Sequence, residues 1–314
     1  MTSAQNPVTD THIMDRTQLA NLVVMSSPKA VWDEVQYIHS LIKPTFDLAL
    51  LKNVFSKTLD LYAGRFPGYQ ACNTGFHDLE HATDTLLTIA RLIHGAYVTG
   101  NPFLPRYVYL GLVSALLHDA GYIQEDDDVD GTGGKYTLTH VQRSMDFLSR
   151  VGPDFDLSEE EITACRAMIL YTDLTVDVAD VKFPNAEAKA MGQMLGVADI
   201  WAQISSRTYL EKVLFLYHEF RAANIEQYTD EVDLLRKTVG FYDYINQRLA
   251  ATQEIVDLYL RAHFISRWEI NSNLYEVAIE RQKSYLQQIL AIPNSDPRHY
   301  LRRDGPTEKA RRKY

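Results

Sequence analysis

Hydrophobic residues recur at intervals of three and four along most of the chain, a spacing that predicts amphipathic helices. The segment KAVWDEVQYIHSLI shows the pattern at Val31, Trp32, Val35, Ile38, Leu41 and Ile42. The same spacing returns in HATDTLLTIARLIH, SEEEITACRAMIL and NLYEVAIERQKSYLQQIL. Alternation of hydrophobic and polar residues, which is typical of half-buried strands, does not extend over any length. We therefore predict an all-α fold, a compact bundle of many helices.

Polar punctuation marks where some of these helices begin and end. Ser158 precedes Glu161 by three residues at the start of an apolar run, which is the capping-box pattern of a helix N-terminus. Residues 124–137, QEDDDVDGTGGKYT, are polar and rich in glycine, and they predict the most obvious loop.

Length and composition predict one domain. The 314 residues contain no linker rich in glycine, serine and proline, and no shift in composition marks a boundary. With 46% hydrophobic residues the chain can bury a large core. We expect a single domain over residues 1–314 with its core at about 45–290, and peripheral or flexible ends at 1–27 and 294–314.

Charge and cysteine content exclude several classes of partner. A formal net charge of -10 disfavours a broad nucleic-acid surface, because phosphate backbones require clustered cations. The sequence shows no signal peptide and no apolar run long enough to span a membrane. Cys72 and Cys165 form neither a disulfide framework nor a Cys-x-x-Cys motif. We expect a cytoplasmic protein with neither a nucleic-acid nor a membrane partner.

The segment GFHDLEHATDT carries the first candidate chemistry. His77 and His81 are four residues apart, so on one helix both imidazoles would face the same point in space. Carboxylates at Asp78, Glu80 and Asp84 lie between and after them. A solvated helix face can have the same composition, so other segments have to decide between the two interpretations.

Two apolar segments carry further metal-binding side chains. In SALLHDAGY, His118 and Asp119 are predicted to end a helix, with Gly121 as its C-terminal stop. In MGQMLGVADIWAQIS, Asp199 is surrounded by hydrophobic residues on a second predicted helix. A buried carboxylate costs several kcal/mol unless a cation or hydrogen bonds compensate.

A metal ion would supply that compensation, and an arginine such as Arg91 or Arg166 is the alternative. Imidazole together with carboxylate suits Zn, Fe, Mn or Ni, and carboxylate with water suits Mg or Mn. A carboxylate can also bridge two ions, and Asp119 is the candidate bridge. We expect one or two divalent ions, held by His81, His118, Asp119 and Asp199.

This order of ligands on a helical chain resembles the HD superfamily of metal-dependent phosphohydrolases. FHDLEHATDT is similar to the YHNxxHAxDV motif in the catalytic domain of class I 3',5'-cyclic nucleotide phosphodiesterases. AMILYTDLT, GVADI and KTVGFYDYI resemble that family's LATDMS, CADLS and SQVGFIDYI. Together with LLHDAGY these segments follow the family order from about residue 55 to 250, roughly two-thirds of the chain.

The resemblance implies a role for each matched residue. It assigns His81, His118, Asp119 and Asp199 to the metal ions, and it makes His77 the general acid that protonates the leaving oxygen. The nucleophile would be a metal-bound hydroxide, and Phe241 would line the substrate pocket.

Two further residues have open roles from the sequence. Asp173 either hydrogen-bonds metal-bound water or a ligand histidine, or simply ends a helix. His140 is either an additional ligand or a structural helix residue.

Some positions depart from the family pattern. Thr238 replaces the glutamine that reads the purine edge, and Ala202 replaces an asparagine that helps to read the base. Tyr122 stands where many members have a second histidine after the His-Asp pair, and Phe76 and Asp78 replace the tyrosine and asparagine of the first motif. The resemblance therefore implies the first metal site, but it gives neither the base nor the hydration of a second ion.

The expected function is a metal-dependent phosphohydrolase that cleaves a phosphodiester in a small molecule, like the cyclic nucleotide phosphodiesterases. Three alternatives remain open: an HD-type phosphomonoesterase acting on a nucleotide, an HD-fold di-iron oxygenase, and a non-catalytic nucleotide- or metabolite-binding protein. The sequence does not give the oligomeric state.

Overall fold

The computed structural model describes residues 18–43 and 46–301. These residues contain 11 α-helices and no β-strand, which confirms the predicted all-α fold. The helices are α1 (Pro28–Leu41), α2 (Leu48–Tyr62), α3 (Leu79–Val98), α4 (Pro105–Leu117), α5 (His140–Val151), α6 (Glu159–Leu170), α7 (Ala186–Ser205), α8 (Tyr209–Ala222), α9 (Glu231–Leu249), α10 (Gln253–Trp268) and α11 (Leu274–Leu290). Short 3-10 helices lie at Leu19–Asn21, Ala120–Tyr122, Gly133–Tyr136, Gly152–Phe155 and Pro297–Tyr300.

Several helices begin where a short polar side chain caps the free backbone N–H groups. At α6 the predicted capping box is present: the Glu161 N–H donates to Ser158 Oγ at 3.3 Å, and the Ser158 N–H donates to Glu161 Oε2 at 2.9 Å. Other helices are capped in a similar way by Ser27, Asp47, Asp78, Asn185, Asp230 and Asn273.

Helix α3 lies at the centre of the bundle and positions the site. It packs against α1, α4, α7 and α10, and nearly all of its residues after the first turn are buried. The closest approach is at Gly95, where an added Cβ would lie 1.8 Å from the Tyr259 carbonyl oxygen of α10. Only glycine permits this contact, so α3 and α10 are locked in register at this point.

One hydrophobic core runs through all eleven helices. The described parts of the two predicted peripheral ends also reach it, through Val23 near the start and Leu301 near the end. The remaining parts of those ends, residues 1–17 and 302–314, lie outside the described residues. Within the described part of the chain, no helix combines the length and apolar character needed to cross a membrane.

Candidate metal centre

Four side chains that the sequence singled out converge in the interior. His81 lies in the first turn of α3, His118 directly follows α4, and Asp119 comes next in the chain. Asp199 lies on α7, which packs against both α3 and α4. His81, His118 and Asp119 are all at most 3% exposed. The side chain of Asp199 is 19% exposed. The fold thus delivers two imidazoles and two carboxylates to one place, with only Asp199 partly open to solvent.

The ligand atoms face each other at close range. His81 Nε2 lies 2.9 Å from Asp199 Oδ1, 3.3 Å from Asp119 Oδ2 and 3.2 Å from His118 Nε2. His118 Nε2 lies 3.3 Å from each of the same two carboxylate oxygens. Ligand atoms of His81, His118 and Asp119 all lie within 4.8 Å of one another. These three residues form a buried cluster that can hold a metal ion.

Hydrogen bonding around the cluster favours a cation at its centre. His118 Nδ1 donates to the Ala115 carbonyl oxygen at 2.8 Å, so a neutral His118 presents its Nε2 lone pair to the cluster. Asp119 Oδ2 is buried and has no hydrogen-bond partner within the described residues. A buried carboxylate oxygen without a donor is costly, and a coordinated cation would satisfy it. The residues present therefore fit a divalent metal ion.

The pKa values of the cluster residues also indicate that the cluster stabilises positive charge. Burial alone would lower the pKa of His81, but the adjacent carboxylates of Asp119 and Asp199 outweigh burial and raise it to about 9. The same opposition raises the pKa of His118. Burial would raise the pKa values of the two aspartates, yet the charge of His118 holds both low. Two carboxylates here stabilise positive charge, either as protons on the imidazoles or as a metal ion that replaces them.

The arginine alternative for the buried carboxylates is excluded within the described residues. Arg91 donates instead to the Tyr275 hydroxyl, and Arg166 donates to the Met145 carbonyl oxygen on α5. The ion pairs of Asp119 and Asp199 are all with histidines.

His77 does not lie on the helix of His81, contrary to the prediction from their spacing. Asp78 caps α3, because its Oδ1 accepts a hydrogen bond from the His81 N–H at 3.0 Å. The helix therefore begins at Leu79, and His77 lies in the loop before it. Its ring centroid is nevertheless 6.0 Å from that of His81, so both imidazoles still face one site.

Glu219 on α8 fixes the position of His77, and no pattern in the sequence predicted this contact. Glu219 Oε2 lies 2.6 Å from His77 Nδ1, and its Oε1 accepts hydrogen bonds from the N–H groups of Gly75 and Phe76 at 2.9 and 2.7 Å. The carboxylate is 1% exposed. Because Nδ1 is held by Glu219, only Nε2 of His77 remains to act on a ligand.

Tyr122 forms a group of three neighbouring rings with His77 and His140. Its ring lies 4.3 Å from that of His77, at an interplanar angle of 11°, and 4.4 Å from that of His140, at 22°. His140 Nδ1 donates to the Thr137 carbonyl oxygen at 2.8 Å, and its Nε2 lies 3.7 Å from Asp119 Oδ1. Burial lowers the pKa of His140, which favours the neutral ring. His140 therefore presents a lone pair to the Asp119 oxygen that faces away from His81, an arrangement that suits a bridging carboxylate.

Gly121 has a different role from the predicted helix stop. The chain continues from α4 into the 3-10 helix Ala120–Tyr122, and an added Cβ at Gly121 would lie 2.0 Å from the His140 carbonyl oxygen. The Gly121 N–H also donates to Ser144 Oγ at 2.9 Å. The glycine is needed because α5 approaches the backbone closely here, and this contact brings His140 to Asp119.

A cavity of about 410 Å³ opens beside the cluster. Asp173 is in its wall, where its Oδ1 accepts hydrogen bonds from the Thr175 N–H and hydroxyl at 2.8 and 2.7 Å. Thr238 lines it too, but the Thr238 hydroxyl donates to the Leu234 carbonyl oxygen at 2.9 Å within its own helix. The remaining predicted site residues in the wall are His77, His81, Asp119, Tyr122, His140, Asp199 and Phe241.

Comparison with known proteins gave no match: no family model, no curated protein and no solved structure matched the chain. The features that identify the site are therefore its own distances, its burial and its unpartnered carboxylate oxygen.

Proposed function

We propose that this protein is a metal-dependent phosphohydrolase that cleaves a phosphodiester in a small molecule, with chemistry like that of the cyclic nucleotide phosphodiesterases. The observation that carries the proposal is the close packing of two imidazole nitrogens and two carboxylate oxygens beside an oriented histidine, at one end of a cavity. Active sites for metal-assisted hydrolysis typically combine imidazole and carboxylate ligands with an acid–base group in the same cavity.

The cluster would hold the metal, with His81, His118, Asp119 and Asp199 as its ligands. When bound, one or two divalent ions (Zn, Mg, Mn or Fe) would polarise the phosphoryl oxygens and lower the pKa of water at the site. The neutral faces of His118 and His140 flank Asp119 on its two sides, which leaves room for either one ion or two.

His77 is suited to deliver the proton that the leaving oxygen needs. With Nδ1 against the Glu219 carboxylate, a protonated His77 holds its other proton at Nε2. The buried carboxylate fixes the orientation of the imidazole. Stacking on Tyr122 holds the ring in the cavity wall.

The far part of the cavity would receive the rest of the substrate. Phe241, Ile200 and Leu234 are among its apolar side chains, and they suit a flat or apolar group. The Thr238 hydroxyl is already used by the Leu234 carbonyl oxygen, so this position does not supply the purine-reading amide of the phosphodiesterases. The proposal therefore names a phosphodiester without naming its base.

A second candidate, a di-iron oxygenase of the same fold, is favoured by His140. Its Nε2 lies 3.7 Å from Asp119 Oδ1, where it could add an imidazole to a second ion. Imidazole suits iron well. Oxygen consumption by the iron-loaded protein, with no hydrolysis of any phosphoester, would favour this candidate.

The test is an activity panel on protein loaded separately with Zn, Mg, Mn or Fe. The substrates are bis(p-nitrophenyl) phosphate, cyclic nucleotides and nucleoside monophosphates. We expect diester turnover that falls at least about 100-fold in His77→Ala and in Asp199→Ala, because general acid catalysis alone contributes about 10²–10⁴-fold. Only Asp199→Ala should also lose bound metal.

Asp127→Ala, on the exposed loop, is the matched control and should retain full activity. Diester turnover that survives in both site variants would overturn the proposal, and so would its absence with every metal. Turnover confined to monoesters would replace it with a phosphomonoesterase.

A further inference from the structure

A second cavity of about 610 Å³ lies on the other side of the first turn of α3. Asp78 and Glu80 line this second cavity, whereas His77 and His81 line the cavity of the metal cluster. Its volume lies within the range of small-molecule sites, roughly 300–1,000 Å³. None of the proposed metal ligands is in its wall, so it is a separate site.

Arg91 in the wall of this cavity is a buried charge without a counter-ion. Its side chain is 2% exposed and donates one hydrogen bond, from Nη1 to the Tyr275 hydroxyl at 2.9 Å. Nε and Nη2 are buried and have no partner within the described residues. The guanidinium carbon lies 5.6–5.7 Å from the ring centroids of Phe264, Trp268 and Tyr275, which attract the cation but accept no hydrogen bond in its plane. A bound anion would accept hydrogen bonds from these two nitrogens and would neutralise the buried positive charge.

Asp84, in the wall of the same cavity, is a carboxylate without an ion-pair partner among the described residues. It lies two turns before Arg91 on the same face of α3, and its carboxylate has no ion pair or hydrogen bond with the described residues. The neighbouring cation, Lys212, is already used by Asp78 at 3.0 Å and by Glu80 at 4.0 Å. Burial raises the pKa of Asp84 to about 7, and the charge of Glu80 acts in the same direction, while the more distant charges of Lys212, His81 and Arg91 oppose it only in part. No cation among the described residues forms an ion pair with this carboxylate.

We infer that the second cavity binds a small zwitterion of the amino-acid class, with the ligand's carboxylate at Arg91 and its ammonium group at Asp84. A ligand with both charges would pair with both Arg91 and Asp84, whereas a simple anion would pair only with Arg91 and a simple cation only with Asp84. Two opposite charges two turns apart on one helix, which line one cavity and form no ion pair with each other, are arranged for such a ligand. This binding does not require the proposed hydrolase activity.

The side chain of Asp78 connects the second cavity to the metal cluster. Asp78 Oδ1 accepts a hydrogen bond from Lys212 Nζ in the wall of the second cavity and another from the His81 N–H, both at 3.0 Å. A ligand in the second cavity therefore binds directly behind the helix turn that carries a metal ligand.

The test is calorimetric binding and thermal unfolding of the full chain with a panel of L-amino acids. For the amino acid that binds, the N-acetyl derivative removes the ammonium charge and the amide derivative removes the carboxylate. We expect at least one L-amino acid to bind and to raise the unfolding temperature. Both blocked derivatives should bind at least tenfold more weakly.

Two variants place the ligand. Asp84→Asn should weaken binding of the amino acid at least tenfold, and Arg91→Met should abolish it. Because Arg91 is buried, its substitution can also prevent folding, so the result from Asp84→Asn decides. Asp127→Asn on the exposed loop is the matched control and should bind as the wild type does.

Three results would overturn the inference. The first is that no L-amino acid binds the wild-type protein, in which case Arg91 is only a structural cation among aromatic rings. The second is that the N-acetyl or the amide derivative binds as tightly as its parent, which reduces the site to one for a single charge. The third is unchanged binding in Asp84→Asn, which places the ligand elsewhere.

Discussion

Glu219 illustrates how much a single buried side chain can organise. Its two carboxylate oxygens accept from the backbone of Gly75 and Phe76 and hold His77 Nδ1, so one residue of α8 fixes both the loop before α3 and the ring at its end. Without this carboxylate, the loop would lose its anchor and His77 would lose the partner that holds its Nδ1. If His77 is the general acid, Glu219 is the residue that positions it.

Glu219→Gln should lower kcat for the diester about 10–100-fold, because the amide retains the size of the side chain but replaces one accepting oxygen with an NH2 group, which cannot accept from the loop N–H groups or hold His77 Nδ1 as the carboxylate does. Steady-state kinetics, together with the metal content, would measure it. We expect unchanged metal content and a loss in kcat.

Glu226→Gln, on an exposed loop, is the matched control. A Glu219→Gln protein with wild-type kcat would remove Glu219 from the mechanism.

The sequence pattern predicted the candidate metal ligands but not Glu219. His118, Asp119 and Asp199 were predicted because ligand-type residues in apolar segments require compensation wherever the fold puts them, and His81 was predicted from its spacing to His77 and from the family resemblance. Glu219 was not, because it lies 142 residues from His77 on a helix whose pattern is that of any amphipathic segment. A contact made only in the folded chain leaves no local sign in the sequence.

At the scale of elements, the contact of α3 with α10 depends on Gly95. Gly95→Ala would bring its Cβ to 1.8 Å from the Tyr259 carbonyl oxygen, so the helices must separate. We expect a loss of about 3 kcal/mol or more in the free energy of unfolding, at the upper end of the range for overpacked cores. Urea denaturation would measure it.

Gly240→Ala on α9 is the matched control, because no atom lies within 4 Å of its added Cβ. This variant should gain about 0.5–1 kcal/mol from helix propensity alone. Equal stabilities of the two variants would contradict the close approach at Gly95.

The contact between α4 and α6 makes stability depend on pH through Glu161. Hydrogen bonds from Arg106, at 2.5 Å from Nε and 2.8 Å from Nη2, lower the pKa of Glu161 to about 2, below its ordinary value of 4.5. A carboxyl whose pKa is depressed in the folded state stabilises the fold above the ordinary value and loses that contribution as pH falls toward the folded value. The contribution of Glu161 is therefore complete above about pH 5 and lost toward pH 2.

Glu161→Gln preserves the capping box in form but removes the charge, so it should be less stable at pH 7 by about 1–2 kcal/mol after discounting for solvent screening. Denaturant unfolding at several pH values should show this difference shrinking between about pH 5 and 2. Glu159→Gln, exposed in the same helical turn, controls for the helix dipole. A difference that did not change with pH would show that the ion pair contributes nothing.

Helix periodicity predicted the elements better than their boundaries. The capping box of α6 was identified because its two residues are specific to a helix start. Asp78 was interpreted as part of a histidine-bearing turn, although its carboxylate in fact caps α3 and excludes His77 from the helix. An aspartate near a helix start can either cap the helix or lie within its first turn. Which of the two positions it takes depends on the packing of the preceding turn.

For the whole molecule, an ion at the cluster would join α3, α4 and α7. A ligand that binds only the folded state stabilises it by about 2.7 kcal/mol at a free concentration 100 times its dissociation constant. Removal of metal with a chelator should therefore lower the unfolding temperature by about 5 °C or more. Scanning calorimetry before and after chelation, with metal added back, would measure the change.

Asp199→Ala is the control for this experiment, since its unfolding temperature should not respond to the chelator. A wild-type protein that unfolds at the same temperature with and without chelator would show that no ion joins the three helices.

The order of the ligands along the chain also governs when the site comes into being during synthesis. A ribosome that has produced α3 and α4 has released two imidazoles and one carboxylate, but the last oxygen follows only with α7, well past the middle of the chain. Until then the emerging polypeptide offers an incomplete set of donors. If the cluster holds an ion, all four donors are available only in the finished fold, so an ion that requires all four would be bound only after α7 has packed.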